Sequence, residues 1–439
     1  MHRPADIGVF RRRRAALAAR MGGGVALLAN APERTRNRDT HYPYRFDSYF
    51  YYLTGFREPE AVLAIVAADT PRSILFCREK DPERELWEGE RFGPEAAREA
   101  FGFEEAHPIG KLDAVVPELI ADCGTLHCHL GGDAEWDARV LGWLNAVRGR
   151  ARSGVAAPAA LRDVHAELDE MRLIKDAEEI ALMRRAAAIS ARAHRRAMRA
   201  ARPGRSEHEI EAELLYEFRR SGAQAPAYPP IVASGENACV LHYTRNDAML
   251  RDGDLLLVDA GCELDGYASD LTRTFPVNGR FSAPQREIYD LVLAAQAAAL
   301  AEVKPGNPWD APHRAALGVL AQGLIDLKLL AGTRDEVIES EAYRRFYMHR
   351  TGHWLGLDVH DAGDYKRDGR WRALEPGMVL TVEPGCYVRP QADVPERFAG
   401  IGVRIEDDVL VTEDGHEVLT REAPKDPREI EEWMRGRDA

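Results

Sequence analysis

Three apolar runs in this chain each end in a carboxylate, and that pattern limits what it can fold into more than any bulk property. Leu255-Leu256-Leu257-Val258 ends in Asp259, Val379-Leu380-Thr381-Val382 in Glu383, and Gly402-Val403-Arg404-Ile405 in Glu406. Short apolar and β-branched runs of this kind read as strands. An unpaired charge at the end of a buried strand is expensive, so three of them call for a shared reason. Asp265-Gly266 adds a register, because both residues accept positive φ and suit a two-residue hairpin turn. Leu264 then faces Tyr267, Gly261 faces Asp270 and Asp259 faces Thr272. In that register Asp259 and Asp270 share a face as diagonal neighbours, about 7–8 Å apart at the backbone. On these two residues alone, a hairpin with two surface aspartates is an equal reading; the other two strands tip the balance.

Alternation along 402–406 places Val403 and Ile405 on one face, and Arg404 and Glu406 on the other. Arg404 is therefore expected to hold Glu406 ionised and oriented. His349, His353 and His360 lie nearby in sequence. His349 and His353 have the spacing of a helical metal pair, but Gly352 and Gly356 argue for a loop in which each histidine has its own role. Asp259, Asp270, Glu383 and Glu406 with one imidazole make a hard, oxygen-rich set, which favours manganese or a similar ion over a thiolate zinc site. Two such ions sharing carboxylates would activate a water for attack on a carbonyl. No glycine-rich phosphate loop precedes a helix, and no serine nucleophile has visible partners. The chemistry implied is metal-assisted hydrolysis.

The rest of the sequence sets the frame. Its 439 residues suggest at least two domains. Strand-like runs (25–29, 61–67, 73–77) mixed with helical stretches such as 94–101 indicate a small N-terminal α/β domain over residues 1–165. Ala151–Ala160, rich in small residues, reads as the linker. Residues 166–439 open with strong helices. Asp176 to Arg202 has an apolar stripe at Ile180, Met183, Ala187, Ala191 and Met198, and Ser206/Glu209 and Ser282/Gln285 are capping boxes. The fold class expected is α/β (α+β), with a sheet covered by helices in the second domain.

A formal charge of −13, from 59 basic and 72 acidic residues, argues against nucleic acid or an anionic membrane as the principal partner. The arginine run 11–14 is followed by an apolar stretch broken at Arg20 and Gly22–Gly24, which reads as an opening helix and strand rather than a targeting signal. No stretch is long and apolar enough to span a bilayer. Six scattered cysteines fit a reducing compartment, so a cytoplasmic protein is expected.

These blocks resemble aminopeptidase P, the Xaa-Pro aminopeptidases with the pita-bread fold. Leu241-His242-Tyr243-Thr244, Asp259-Ala260-Gly261-Cys262 and Tyr267 to Phe275 are similar to its aspartate blocks. His349 to Asp361 resembles its histidine block, and Leu374 to Gly385 and Gly402 to Glu406 its glutamate blocks. Tyr42-Pro43-Tyr44-Arg45 and Tyr52 to Phe56 resemble the family's first domain, so the likeness spans nearly the whole chain. It implies a curved antiparallel sheet covered by helices in the C-terminal domain, and two divalent ions. Their ligands would be Asp259, Asp270, His353, Glu383 and Glu406, with Asp270 and Glu406 bridging. It makes Glu383 the general base, and His242 and His360 the groups that stabilise the tetrahedral intermediate and pass a proton to the leaving prolyl nitrogen. His349, Tyr365 and Arg404 would shape the proline pocket. Trp87 and Asp39 are carried over as residues reaching an active site, that of a neighbouring subunit included. The implied substrates are peptides with proline in second position, and the implied assembly is a homodimer or homotetramer.

The nearest rival is a prolidase, with the same five ligands but restricted to dipeptides; no group that would cap a dipeptide is identifiable. Creatinase shares the fold but lacks the ligands. A non-catalytic binding protein on this fold would have lost ligands that are all present here.

Overall fold

The computed structural model describes residues 6–436. The chain divides into two compact units, Met1–Met171 and Arg172–Ala439, so the division falls after Met171 rather than after 165. The Ala-rich stretch 151–160 is not a linker. It leads into Ala160–Arg162, which pairs in parallel with Thr125–His127 as an edge strand. A three-residue edge strand has too few side chains to register as a periodic pattern.

The N-terminal unit is built on one mixed sheet of order Glu105–Pro108, Arg72–Cys77, Val62–Ala67, Gly24–Ala29, Thr125–His127, Ala160–Arg162. The arginine run lies on the opening helix Ile7–Met21, where Arg13 and Arg14 are buried. Arg13 donates to Tyr52 O (3.2 Å), and Arg14 to Leu53 O (3.0 Å) and Gly102 O (2.7 Å). These carbonyls end the helices Ser48–Thr54 and Gly93–Phe101, where no intrahelical partner remains. The guanidinium groups supply that partner.

In the C-terminal unit every paired strand among the described residues is antiparallel. Ile231–Ser234, Leu255–Asp259 and Thr272–Pro276 form one piece, and Val379–Val382, Asp407–Val411 and His416–Val418 another. Gly385–Val388 pairs with Ile401–Arg404. The Glu406 N–H donates to Thr272 O at 3.1 Å, linking the pieces where ligands are expected. Helices Ala177–Ala200, Glu207–Arg220, Ala283–Ala301 and Ala311–Asp326 share one core with these strands: Ala193, Leu214, Ile288 and Leu320 belong with Leu256, Phe275, Val382 and Val403. Each such large aliphatic or aromatic side chain, fully buried, favours the fold by about 1.5–3 kcal/mol.

Both expected capping boxes are present, at Ser206/Glu209 and Ser282/Gln285, and Asp176/Glu179 is a third. The stripe on Ala177–Ala200 is more polar than expected: Ile180 is half-buried, while Glu179, Ser190 and His194 are buried. Each has a reason. Glu179 Oε1 accepts from Tyr267 Oη (2.8 Å), Ser190 Oγ accepts from Cys262 N (3.1 Å), and His194 Nε2 bonds Ala260 O (2.9 Å). This helix thereby holds the hairpin that carries the two aspartates.

Candidate metal centre

The hairpin has the register read from the sequence: Leu264 pairs with Tyr267, and Asp259 with Thr272. The ladder is pinched at Gly261, where a Cβ would lie 1.6 Å from Ser269 O; only glycine lets the two backbones come this close. Asp259 and Asp270 share a face as expected. The Tyr228 hydroxyl lies between them, 2.6 Å from Asp259 Oδ1 and 2.5 Å from Asp270 Oδ1. Behind Asp270, its N–H donates to Asp408 Oδ1 (3.0 Å), and Ser269 Oγ donates to Asp408 Oδ2 (2.8 Å).

The alternation expected along 402–406 has a different outcome. The strand ends at Arg404, and Glu406 lies just past it, with residues 401–411 all buried. Arg404 pairs with Asp259 instead, Nη2 to Oδ2 at 2.6 Å. Its connection to Glu406 runs through Thr272: Arg404 Nε donates to Thr272 Oγ1 (3.2 Å), which donates to Glu406 Oε2 (2.6 Å). Because Asp259 faces Thr272 across the ladder, one guanidinium serves both.

The 349–353 segment is irregular, as the glycines require. It is pinned from behind by Thr351, whose Oγ1 is 2.8 Å from His313 Nδ1 and 2.6 Å from Tyr347 Oη. Thr351 O accepts from Glu383 N at 2.7 Å. Thr381 Oγ1 accepts from His353 N (3.1 Å) and contacts Glu383 Oε1 (3.3 Å). One threonine on each segment thus sets His353 and Glu383 relative to each other. His353 Nδ1 bonds Trp354 O (2.9 Å), which directs Nε2 toward Asp270 Oδ2 (3.3 Å) and Glu383 Oε1 (3.7 Å). His349 belongs to a second chain of bonds. Arg404 Nη1 donates to Tyr387 Oη (2.9 Å), which lies 2.8 Å from His349 Nε2, while His349 Nδ1 bonds Arg350 O (2.8 Å). When the ring is neutral and Nδ1 donates to the carbonyl, Nε2 is left to accept from the Tyr387 hydroxyl. Burial, then Arg404, lowers the His349 pKa to about 3.

The donor set fits divalent cations. Asp270, His353 and Glu406 present ligand atoms within 4.8 Å of one another. Carboxyls crowded this closely draw in protons. Burial pushes Glu383 up to about 7 and raises Asp259 and, well above its usual range, Glu406. Burial opposes charge on His353 too, but Asp270 and Glu383 raise it to about 9. Asp270 stays below its ordinary range because the bonds from His353 and Tyr228 outweigh its burial. A cluster that recruits protons to offset its own repulsion gives them up to divalent ions. Carboxylate oxygens and one imidazole are the ligands such ions prefer.

His360 is exposed, with its ring 4.3 Å from that of His353 at 73°; burial, then the His353 charge, lowers its pKa. His242 is exposed on the turn after Gly235–Cys239 and acts electrostatically on both His349 and His360. Tyr365 stacks on Trp354 (5.6 Å, 2°) and lines a cavity of about 520 Å³ with Trp309, His313, Arg350 and Trp371. Asp39 and Trp87 belong to the N-terminal unit, and Trp87 is 87% exposed; neither is among the residues gathered here. Sequence reasoning missed Tyr228, Tyr387, Thr272 and Thr351. Tyr228 stands before Pro229-Pro230 with no motif around it, whereas Thr272 was legible as the residue opposite Asp259.

The family model for metallopeptidase family M24 matches residues 181–413, and that for the aminopeptidase P N-terminal domain matches residues 10–127. The chain is 48% identical over 428 residues to the Xaa-Pro aminopeptidase of Escherichia coli K12, covering 97% of each. Among solved structures it is similar to Pseudomonas aeruginosa aminopeptidase PepP, with TM-score 0.97, 51% identity and complete coverage of both chains. Zinc-substituted E. coli aminopeptidase P in complex with product gives TM-score 0.96 and 47% identity, covering 98% of this chain and 99% of that one.

Proposed function

Because this chain belongs to metallopeptidase family M24 and carries the aminopeptidase P N-terminal domain, we propose that it removes the first residue from peptides whose second residue is proline. The observation that carries this reading is the cluster of Asp270, His353 and Glu406, whose ligand atoms lie within 4.8 Å of one another, with Glu383 Oε1 3.7 Å from His353 Nε2 and Asp259 joined to Asp270 through the Tyr228 hydroxyl. Asp259, Asp270, His353, Glu383 and Glu406 would hold two divalent ions, manganese by preference. When bound, the ions supply an acidified water and a polarised scissile carbonyl.

The remaining steps belong to the chain's own side chains. Glu383, set beside His353 by Thr381 Oγ1 and by its own N–H to Thr351 O, takes a proton from water and returns it. His360, its ring against that of His353, and the exposed His242 stabilise the tetrahedral intermediate and deliver a proton to the departing nitrogen. A prolyl amide nitrogen carries no hydrogen, so without that delivery it leaves as a poor anion. His349, held neutral at the end of the Arg404–Tyr387 chain, forms one wall of the pocket for the proline ring with Arg404 and Tyr365. Arg404 also keeps Asp259 oriented.

A prolidase reading is not favoured, since the relatives that align along almost the whole chain are named Xaa-Pro aminopeptidases. We place the protein in the cytoplasm; its six cysteines are free thiols. We also expect a homodimer or homotetramer, a reading supported by the exposed apolar pair Leu86 and Trp87. Among the described residues no helix is long and apolar enough to cross a membrane.

The test is a substrate panel of Xaa-Pro, Xaa-Pro-Xaa and Xaa-Ala peptides, assayed with manganese and with a chelator. Cleavage of the tripeptide that needs the metal and spares Xaa-Ala is expected. Activity confined to Xaa-Pro dipeptides overturns the proposal in favour of a prolidase.

A further inference from the structure

Two buried cations near the start of the C-terminal unit have no part in the reaction as described so far. The side chains of Arg172 and Lys175 are each 1% exposed. Both converge on Asp361, itself 1% exposed: Arg172 Nη2 donates to Oδ1 at 2.6 Å and Lys175 Nζ to Oδ2 at 2.9 Å. Arg172 Nη2 also reaches Asp358 Oδ2 at 2.7 Å. Buried ion groups of this kind gain little over apolar packing of the same volume, so geometry is what the network secures. Its two aspartates flank one histidine, in Asp358-Val359-His360-Asp361.

The turn that carries His360 closes around the Asp361 carboxylate. Asp361 Oδ1 accepts from Asp358 N (3.2 Å), while Asp361 N donates to Trp354 O (3.0 Å) and Gly356 N to Asp358 O (3.1 Å). A Cβ on residue 356 would sit 2.2 Å from Asp361 Oδ2, so glycine there leaves the carboxylate room to reach both cations. Gly356 O accepts from Ala268 N at 2.8 Å, which registers the turn against the hairpin carrying Asp270. Lys175 is pinned in turn, its N–H donating to Gly377 O at 2.9 Å. Out of this tied segment only His360 is exposed, and its ring rests against that of His353.

We infer that Arg172 and Lys175, acting through Asp361, are positioning residues for His360 in peptide hydrolysis. Their work is to hold the 354–361 turn so that the imidazole stays beside the ligand cluster. The inference rests on the role proposed for His360.

The experiment is a double-mutant cycle on the metal-loaded enzyme with an Xaa-Pro-Xaa tripeptide. Its variants are Asp361→Asn, the milder Lys175→Met, His360→Ala, and each of the first two combined with His360→Ala. Bound metal and circular dichroism are recorded for every protein. Loss of the network lets the turn shift, so kcat should fall by about tenfold to a hundredfold with KM within about twofold. Metal content should not change. In the His360→Ala background both substitutions should then have no further effect, because the group they position is gone. Losses that multiply, or loss of bound metal, overturn the inference and make the network a general support of the fold. A His360→Ala enzyme with undiminished kcat overturns the role of His360 itself, a failure visible in the single variant. If Asp361→Asn does not fold, Lys175→Met carries the same test.

Discussion

Replacing Arg404 by methionine tests whether this cluster is held together by its own countercharge. Arg404 gives three bonds: to Asp259 Oδ2 (2.6 Å), Tyr387 Oη (2.9 Å) and Thr272 Oγ1 (3.2 Å). Its side chain is 5% exposed and that of Asp259 12%, so water replaces little of what is lost. Methionine keeps much of the volume and none of the donors. Removing one member of a buried pair leaves an uncompensated charge and destabilises by about 3–5 kcal/mol. For a unit of this size that is a fall of about 5–9 °C in Tm. The fall should be largest with a chelator present and should shrink when manganese is added, because divalent ions supply the countercharge that the guanidinium no longer gives. Calorimetry of both proteins in chelator and in manganese measures the difference. Equal melting of the two proteins in chelator, or a deficit that manganese leaves unchanged, refutes the reasoning.

Three further outcomes are expected. Tyr228→Phe removes the hydroxyl between Asp259 and Asp270 and should weaken metal affinity by about 10- to 100-fold, read by competition with a chromogenic chelator; unchanged affinity would mean that the hydroxyl orients neither ligand. Thr351→Val strands Tyr347 Oη and His313 Nδ1 and should cost about 2–4 kcal/mol in urea unfolding, against about 1 kcal/mol or less for Thr351→Ser; equal costs would count against the hydroxyl. The third concerns pH. His194 is buried on Ala260 O, and its pKa is lowered to about 3. The unfolded chain therefore binds the extra proton between about pH 6.5 and 3, and the stability present above 6.5 drains away as pH falls. From pH 7 to 5 this group accounts for about 2 kcal/mol, so His194→Gln should flatten urea midpoints over that interval, and an unaltered slope would exclude it.

The legible parts of this site were those set by local rules. Asp265-Gly266 determined a two-residue turn, and the pleat then placed Asp259 against Thr272 and beside Asp270, as found. The apolar runs before Asp259 and Glu383 read as strands because their side chains are buried on both faces. Alternation failed at Arg404 for that same reason. Where every residue is buried, period two cannot say which carboxylate an arginine reaches, and its partner proved to be Asp259, on a strand that no ladder pairs with its own. Tyr228 and Arg172 were illegible because their partners are distant in sequence, and Thr351, although four residues from Tyr347, lies in an irregular segment where no spacing rule applies. The Ala151–Ala160 stretch misled in the other direction: its small residues resemble a linker, yet backbone pairing of Ala160–Arg162 draws its end into a sheet.

The two close approaches of backbone to backbone also bear on how such a site can change over generations. A methyl group at Gly261 would overlap Ser269 O at 1.6 Å, and one at Gly352 would lie 2.1 Å from Thr381 O. Neither neighbour is a side chain that could swing aside, so no single substitution at these positions yields a slightly altered site that selection could refine. Variation must therefore be explored at positions with room around them, such as those bordering the 520 Å³ cavity beside Trp309, Tyr365 and Trp371.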